Sequence, residues 1–227
     1  MTYVVRRMKD NDIPQAIEVD REAFPTQWPH PTYASFKQEL RNRLAHYIVV
    51  ARQAETYQEN LKRNRSHMTI WQRLTSPRPP VIDEETGENG PSGEQIVGLV
   101  GLWVMLDEAH ITTIAVRDAC RRQGIGERLL IALTEMSAQL NVSVVTLEVR
   151  ASNSEAQRLY EKYGFQRVGM RRRYYSDNGE DAVIMTTDRI TSPSFQSRFQ
   201  ELKRLHQLRR GELYTSEIED LTPSRLA

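Results

Sequence analysis

Two glycines stand at the head of a strongly patterned helical stretch in Arg121-Arg122-Gln123-Gly124-Ile125-Gly126-Glu127. The first backbone N–H groups of a helix have no partner inside it, so at such a start they point outward and can bind an anion. Glycine removes side chains that would block the approach, the helix dipole favours negative charge, and Arg121 and Arg122 add formal positive charge nearby. That combination suits docking of a phosphate or pyrophosphate; tight helix–strand packing is the other use of such glycines. Neither G-x-G-x-x-G nor G-x-x-x-x-G-K-S/T is present, which argues against a Rossmann dinucleotide site and a nucleoside-triphosphate loop.

Glu148 is a second candidate, because it sits among apolar residues near the C-terminal end of a strand, where a carboxylate is costly unless solvated or paired. An exposed strand face, or an ion pair with an arginine such as Arg150, would also account for it. Tyr160 follows Asn153 by seven residues, two helical turns, so both side chains project from nearly one face. Packing of the Tyr160 ring against the core is the plain alternative; for Asn153 it is helix capping, with Ser152 and Glu155 also spaced as a capping box. Cys120 is the only cysteine, which excludes an intrachain disulfide and leaves a cysteine-based metal cluster without ligands.

The elements that must position these residues read as a mixed α/β domain. Residues 3–8 form a strand, and Asp10 or Asn11 offers the N-cap of a helix running toward Phe24. A triple-proline loop follows, then a helix over 33–44 and a strand over 46–52. Residues 95–106 and 109–116 make a hairpin of apolar strands. Leu129, Leu133, Met136 and Leu140 give residues 124–140 the buried face of a helix. In the strand 144–149, Val145, Leu147 and Val149 share one side and Thr146, Glu148 and Arg150 the other. A short helix over 154–163 stops at Gly164, and residues 165–173 and 181–190 form a last antiparallel pair. Residues 53–94 read as a polar insertion whose first half, around Leu61, Ile70, Trp71 and Leu74, has amphipathic helical spacing. Residues 191–227 form a polar extension, partly helical over 195–210, with no evident chemistry.

With 227 residues, 39% hydrophobic and 27% charged, the chain can bury a real core as one main domain. A net charge of +1 gives no global attraction to nucleic acid or membrane. No apolar run is long enough to span a bilayer and residues 1–7 lack a signal-peptide pattern, so a cytoplasmic location is the expectation.

Arg121-x-x-Gly124-x-Gly126 matches the Q/R-x-x-G-x-G/A signature of the GNAT acetyltransferases, and Ile114-Ala115-Val116 resembles that superfamily's cofactor-facing strand. The likeness continues through the segments 146–153 and 159–165, Arg172-Arg173-Tyr174-Tyr175, and Glu180-Asp181-Ala182 with Met185. These resemble the RimI type, the bacterial ribosomal-protein-alanine N-acetyltransferases, over roughly residues 95–190. The resemblance implies a mostly antiparallel central sheet flanked by helices, with the insertion and the C-terminal extension as additions to the family domain. It implies acetyl-CoA as co-substrate and no metal, the pyrophosphate lying on Arg122, Gln123, Gly124, Ile125, Gly126 and Glu127. The pantetheine arm would pair like an added strand with Ile114, Ala115 and Val116.

The same resemblance makes Glu148 the base that deprotonates an amine, directly or through water. Tyr160 becomes the acid that protonates the departing sulfur, and Asn153 a hydrogen-bonding contact. Phe24, in Ala23-Phe24-Pro25, and the pair Tyr174 and Tyr175 would face the acceptor. The implied acceptor is a protein N-terminus, an alanine of a ribosomal protein, with other N-termini, lysine side chains or a non-catalytic acyl-CoA-binding role as alternatives.

Overall fold

Alternation of buried and exposed positions along apolar, β-branched segments lays down one sheet of eight strands. The computed structural model describes residues 2–26, 29–53, 93–211 and 214–216. The strands are β1 (Tyr3–Arg7), β2 (Ala45–Gln53), β3 (Glu94–Met105), β4 (Glu108–Val116), β5 (Val144–Arg150), β6 (Phe165–Tyr175), β7 (Glu180–Thr187) and β8 (Tyr214–Ser216). The helices are α1 (Ile13–Ala23), α2 (Tyr33–Arg41), α3 (Ile125–Gln139), α4 (Ser154–Lys162) and α5 (Pro193–Arg210). The sheet order is β6-β7-β5-β4-β3-β2-β1-β8. Among the described residues only β4–β5 and β1–β8 pair in parallel, so the expected mixed, mostly antiparallel architecture is the observed one.

Two apolar clusters sandwich the sheet. One packs Leu129, Leu130, Leu133 and Met136 of α3 with Tyr160 of α4 and Phe195 and Phe199 of α5 over Val100, Leu102, Leu147 and Val149. The other packs Ile13, Ala16 and Val19 of α1 and Phe36 of α2 over Val49, Ile96, Leu99 and Ala115. Burying such side chains contributes roughly 1.5–3 kcal/mol each, which is why strand alternation fixes which residue looks to which face.

Several boundaries differ from expectation. A 3-10 turn at Asp10–Asp12 precedes α1, which starts at Ile13 with Pro14 in its first turn. The Asp12 carboxylate accepts the Lys9 N–H at 2.7 Å and is gripped by the buried Arg6 at 2.7 and 2.9 Å, so satisfying that guanidinium sets the helix start. Helix α2 stops at Arg41, where Asn42 turns extended. Gln53 and Glu94 face each other across β2 and β3, so the polar insertion leaves and rejoins the sheet at one point; its expected amphipathic helix lies outside the described residues. The C-terminal extension carries the helix α5, begun by Ser192, whose Oγ accepts the Phe195 N–H at 3.3 Å. Among the described residues no helix is long and apolar enough to cross a membrane.

The feature that makes a site is where β4 and β5 part. Their pairing runs from Glu108 opposite Val144 to Ile111 opposite Leu147 and ends there. Strand β4 stays paired with β3 as far as Val116, through a register shift between Gly101 and Leu102, and β5 stays paired with β7 as far as Arg150. The β5-facing backbone edge of residues 112–116 is therefore left without a strand partner. Such an edge, at the carboxyl ends of parallel strands joined by a helix, is where α/β sheets open to ligands.

Candidate active site

The loop before α3 is shaped for its backbone. A short 3-10 turn at Asp118–Cys120 leads into it, Arg122 takes φ +63°, and Gly124 takes φ +85° as the N-cap of α3. The first helical bond is Arg128 N–H to Gly124 O at 2.9 Å. Among the described residues, the N–H groups of Gly124, Ile125, Gly126 and Glu127 have no backbone acceptor. Gly124 is required by its left-handed φ. Gly126 is not required by packing, since a Cβ there would meet Leu159 and Val116 at ordinary distances of 3.8 and 3.9 Å. Tight internal packing therefore does not explain Gly126, whereas an unobstructed approach to the helix start does.

The side chains of this loop are committed elsewhere. The Gln123 Nε2 group donates to Ala119 O at 3.2 Å and its Oε1 accepts from the Tyr3 hydroxyl at 2.8 Å. Arg122 is ion-paired with Glu155. The Glu127 carboxylate pairs with Lys162, accepts from the Tyr163 hydroxyl at 2.8 Å and lies 3.3 Å from Arg209. Burial alone would raise its pKa, but Lys162 and Tyr163 outweigh burial and hold it below the ordinary glutamate value. What the loop offers a ligand is thus its run of N–H groups and the helix dipole, with the Gln123 and Glu127 side chains serving the scaffold.

At the parting of the strands, Glu148 projects from the face of β5 opposite Leu147 and Val149, as alternation requires. Its side chain is only 6% exposed, with His110 Nε2 3.0 Å from Oε2 and Arg171 Nη2 2.9 Å from Oε1. Arg150 is not its partner: that guanidinium turns to Asp177 and Glu180 at 2.8 and 3.3 Å and lies 3.9 Å from the Tyr175 ring centroid. The β6–β7 hairpin supplies these acidic groups at its turn and draws Arg150 away.

Tyr160 lies on the other face, buried and tilted against Phe165 with centroids 5.7 Å apart. Burial, with a smaller contribution from Tyr175, pushes its phenol well above the ordinary tyrosine value. Its hydroxyl has no hydrogen-bond partner among the described residues and so keeps its proton available. Asn153 caps α4, its Oδ1 accepting the Ala156 N–H at 3.1 Å; Glu155, spaced for a capping box, is instead drawn to Arg122.

At the tip of the β6–β7 hairpin, Tyr174 and Tyr175 end β6 with rings edge-to-face at 5.2 Å, next to a register shift and to Arg173 at φ +51°. Tyr174 is exposed, whereas Tyr175 is half-buried and raised to about 12 by burial. Phe24 follows α1 and packs at the edge of the α1–α2 cluster. Two residues on, the Thr26 hydroxyl donates to Asp177, which also holds Arg150. The loop after α1 and the β6–β7 turn are thereby tied together beside β5.

Comparison with known proteins bears on this geometry. The sequence pattern of the acetyltransferase (GNAT) family matches residues 53–165. An N-alpha-acetyltransferase of Sulfurisphaera tokodaii is 32% identical over 185 residues, covering 81% of this chain and 91% of that protein. The chain belongs to the GNAT acetyltransferase family. Within GNAT it is similar to the RimI type: the ribosomal protein bS18-alanine N-acetyltransferase of Escherichia coli is 46% identical over 84 residues, 36% of this chain and 57% of that one. The crystal structure of the Escherichia coli ribosomal-protein-S18-alanine N-acetyltransferase superposes with a TM-score of 0.57 at 23% identity, over 82% of this chain and 94% of that one. GNAT acetyltransferases use acetyl-CoA, and this chain is one of them.

Two features of this candidate site are not legible in the sequence. His110 looks like an ordinary polar position of an amphipathic strand, and only the parallel register that sets it opposite Thr146, two residues before Glu148, reveals its neighbour. The extension beyond residue 190, read as devoid of chemistry, packs behind the glycine loop: His206 Nε2 lies 3.4 Å from Gly124 O and Tyr214 Oη donates to Gln123 O at 3.3 Å. Its only sequence signal is a histidine and a tyrosine in a polar tail.

Proposed function

We propose that this chain acetylates the α-amine of a protein N-terminus, with the N-terminal alanine of a ribosomal protein as the acceptor. The observation that carries this reading is the parting of β4 from β5, with unpartnered N–H groups from Gly124 through Glu127 at one end and Glu148 beside the opening. Backbone of Ile114, Ala115 and Val116 would pair with the pantetheine amides, and the glycine loop would bind the pyrophosphate. Bound there, acetyl-CoA supplies an activated acyl group as its thioester.

The acceptor amine must arrive uncharged to attack, and an N-terminal ammonium with an ordinary pKa of ~7.7–8.0 is largely protonated at neutral pH. Glu148 would take that proton on the oxygen facing His110, while Arg171 holds the other oxygen in place. Tyr160, on the opposite face, would give its Oη proton to the sulfur as the carbon–sulfur bond breaks. Tyr174 and Tyr175 would line the path of the first acceptor residues, with Phe24 across from them. Asn153, its Oδ1 engaged in the cap, would use its amide N–H toward cofactor or acceptor. The α-amine is favoured over a lysine amine, ordinary pKa ~10.4, because a far larger fraction of an α-amine is already uncharged at neutral pH. The name of the Escherichia coli relative supports alanine.

The test is mass spectrometry of ribosomal-protein N-termini from cells with and without this chain. A terminal alanine acetylated only when the chain is present supports the assignment; an unchanged set of N-termini overturns it.

A further inference from the structure

The glycine loop is open on its ligand side and held on the other. Two carbonyls on that rear side are engaged by the C-terminal extension: Gln123 O by the Tyr214 hydroxyl, and Gly124 O by His206. A peptide unit is planar and trans, so its C=O and N–H point opposite ways. The unit containing Gln123 C=O carries the Gly124 N–H, and the unit containing Gly124 C=O carries the Ile125 N–H. Holding Gln123 C=O rearward turns the Gly124 N–H outward, and His206 adds a second hold on Gly124 C=O beside the Arg128 N–H at 2.9 Å, keeping the Ile125 N–H turned outward. Nothing in the loop's covalent structure does this alone, because glycine accepts either sign of φ and the unit before it can turn over. A turned unit would present an oxygen to the pyrophosphate.

The two holding residues are themselves anchored. Tyr214 stacks on Tyr3 with centroids 5.4 Å apart, and β8 pairs with β1. Helix α5 is fixed by Phe195 and Phe199 in the core, by Arg198 donating to Glu161 O and Lys162 O at 3.2 and 2.9 Å, and by Lys203 paired with Glu135. Arg209 meets Glu127 one turn into α3. Burial lowers the His206 pKa, against a smaller opposing effect of Glu127, so the ring is neutral at neutral pH and donates to Gly124 O when its proton is on Nε2.

We propose that the C-terminal extension is a working part of the cofactor site, with His206 and Tyr214 as positioning residues that orient the Gly124 and Ile125 N–H groups toward the pyrophosphate. This rests on the assignment of the glycine loop to acetyl-CoA. It predicts an effect on donor affinity separate from acceptor binding and chemistry.

The experiment compares the full chain with Tyr214→Phe, which keeps the ring stack and removes the hydroxyl, with His206→Phe, which keeps a planar ring and removes the donor, and with His206→Gln, which restores an N–H. Calorimetry with CoA gives Kd, and steady-state kinetics give kcat and both KM values. Each Phe variant is expected to raise the CoA Kd and the acetyl-CoA KM by about 3- to 10-fold, the range of one lost hydrogen bond. The kcat and the acceptor KM should change by less than about twofold, with His206→Gln recovering part of the affinity. Unchanged CoA affinity in both Phe variants overturns the proposal. So does a parallel fall of kcat and thermal stability without the KM split, which would mark a general structural role. Failure of the unsubstituted chain to bind CoA would instead remove the assignment of the loop itself.

Discussion

His110 Nε2 lies 3.0 Å from Glu148 Oε2, on a carboxylate whose other oxygen faces Arg171 at 2.9 Å. The three groups come from β4, β5 and β6, so the cluster exists only once the sheet has formed. The carboxylate is thus held on both sides, by a guanidinium on one oxygen and an imidazole on the other.

Glu148→Gln keeps the shape of the side chain and removes its basicity. It should lower kcat/KM for an N-terminal peptide about 100-fold or more. His110→Gln should lower it by a smaller factor, about 10-fold, with the acetyl-CoA KM unchanged in both. Stopped assays over a range of pH check this; equal activity of wild type and Glu148→Gln at every pH would remove the carboxylate from the mechanism.

Tyr160→Phe deletes a hydroxyl that makes no hydrogen bond among the described residues, so the fold should not suffer for it. Thermal melting should shift little, while kcat falls about 10- to 100-fold at saturating acetyl-CoA. A variant as active as the parent would reduce Tyr160 to a packing residue.

Much of this site was legible in the chain. The Gly124 turn and the apolar face of α3 announced an outward-facing helix start, and alternation in β5 put Glu148 opposite the core. What stayed hidden depends on contacts distant in sequence. The partner of Glu148 could be sought in Arg150, its near neighbour, but the turn after β6 brings Asp177 and Glu180 to Arg150 and leaves Glu148 to His110 and Arg171. Likewise Gln123 and Glu127 sit within the motif, yet their side chains answer to Tyr3, Lys162 and Tyr163. Spacing identifies the backbone turn and says nothing of which way such side chains swing. The extension was opaque for the same reason: the β1–β8 pairing and the placing of His206 behind Gly124 are long-range events.

Gly124→Ala forces a side chain into φ +85° and brings Cβ within 3.4 Å of His206 Nε2. The left-handed conformation costs a non-glycine residue about 1–2 kcal/mol. For a domain of this size that corresponds to a fall of roughly 2–8 °C in Tm. The acetyl-CoA KM should rise as the N–H groups lose their aim. Gly126→Ala meets only ordinary contacts inside the chain, so it should leave Tm close to the parent's while still weakening CoA binding. Differential scanning calorimetry with CoA titration separates the two.

Glu127 gives a pH signature. Its folded-state pKa is held below the ordinary value, so ionised Glu127 stabilises the fold above the unfolded carboxylate pKa of ~4.3. That contribution disappears as pH falls through the depressed folded value. Glu127→Gln should therefore melt lower than the parent at pH 7, and the gap should narrow on acidification once pH falls below the unfolded value of ~4.3. A gap independent of pH would show that the Lys162 and Tyr163 contacts act through packing instead of charge.

The most direct measurement incubates the purified chain with acetyl-CoA and two peptides, one with a free N-terminal alanine and one with that terminus blocked and an internal lysine retained, and locates the added acetyl group by fragment mass spectrometry. The account predicts one acetyl group on the α-nitrogen of the first peptide and none on the second, with the transfer sharply reduced in Glu148→Gln. Acetylation of the lysine alone, or of neither peptide while the chain binds CoA, would contradict it.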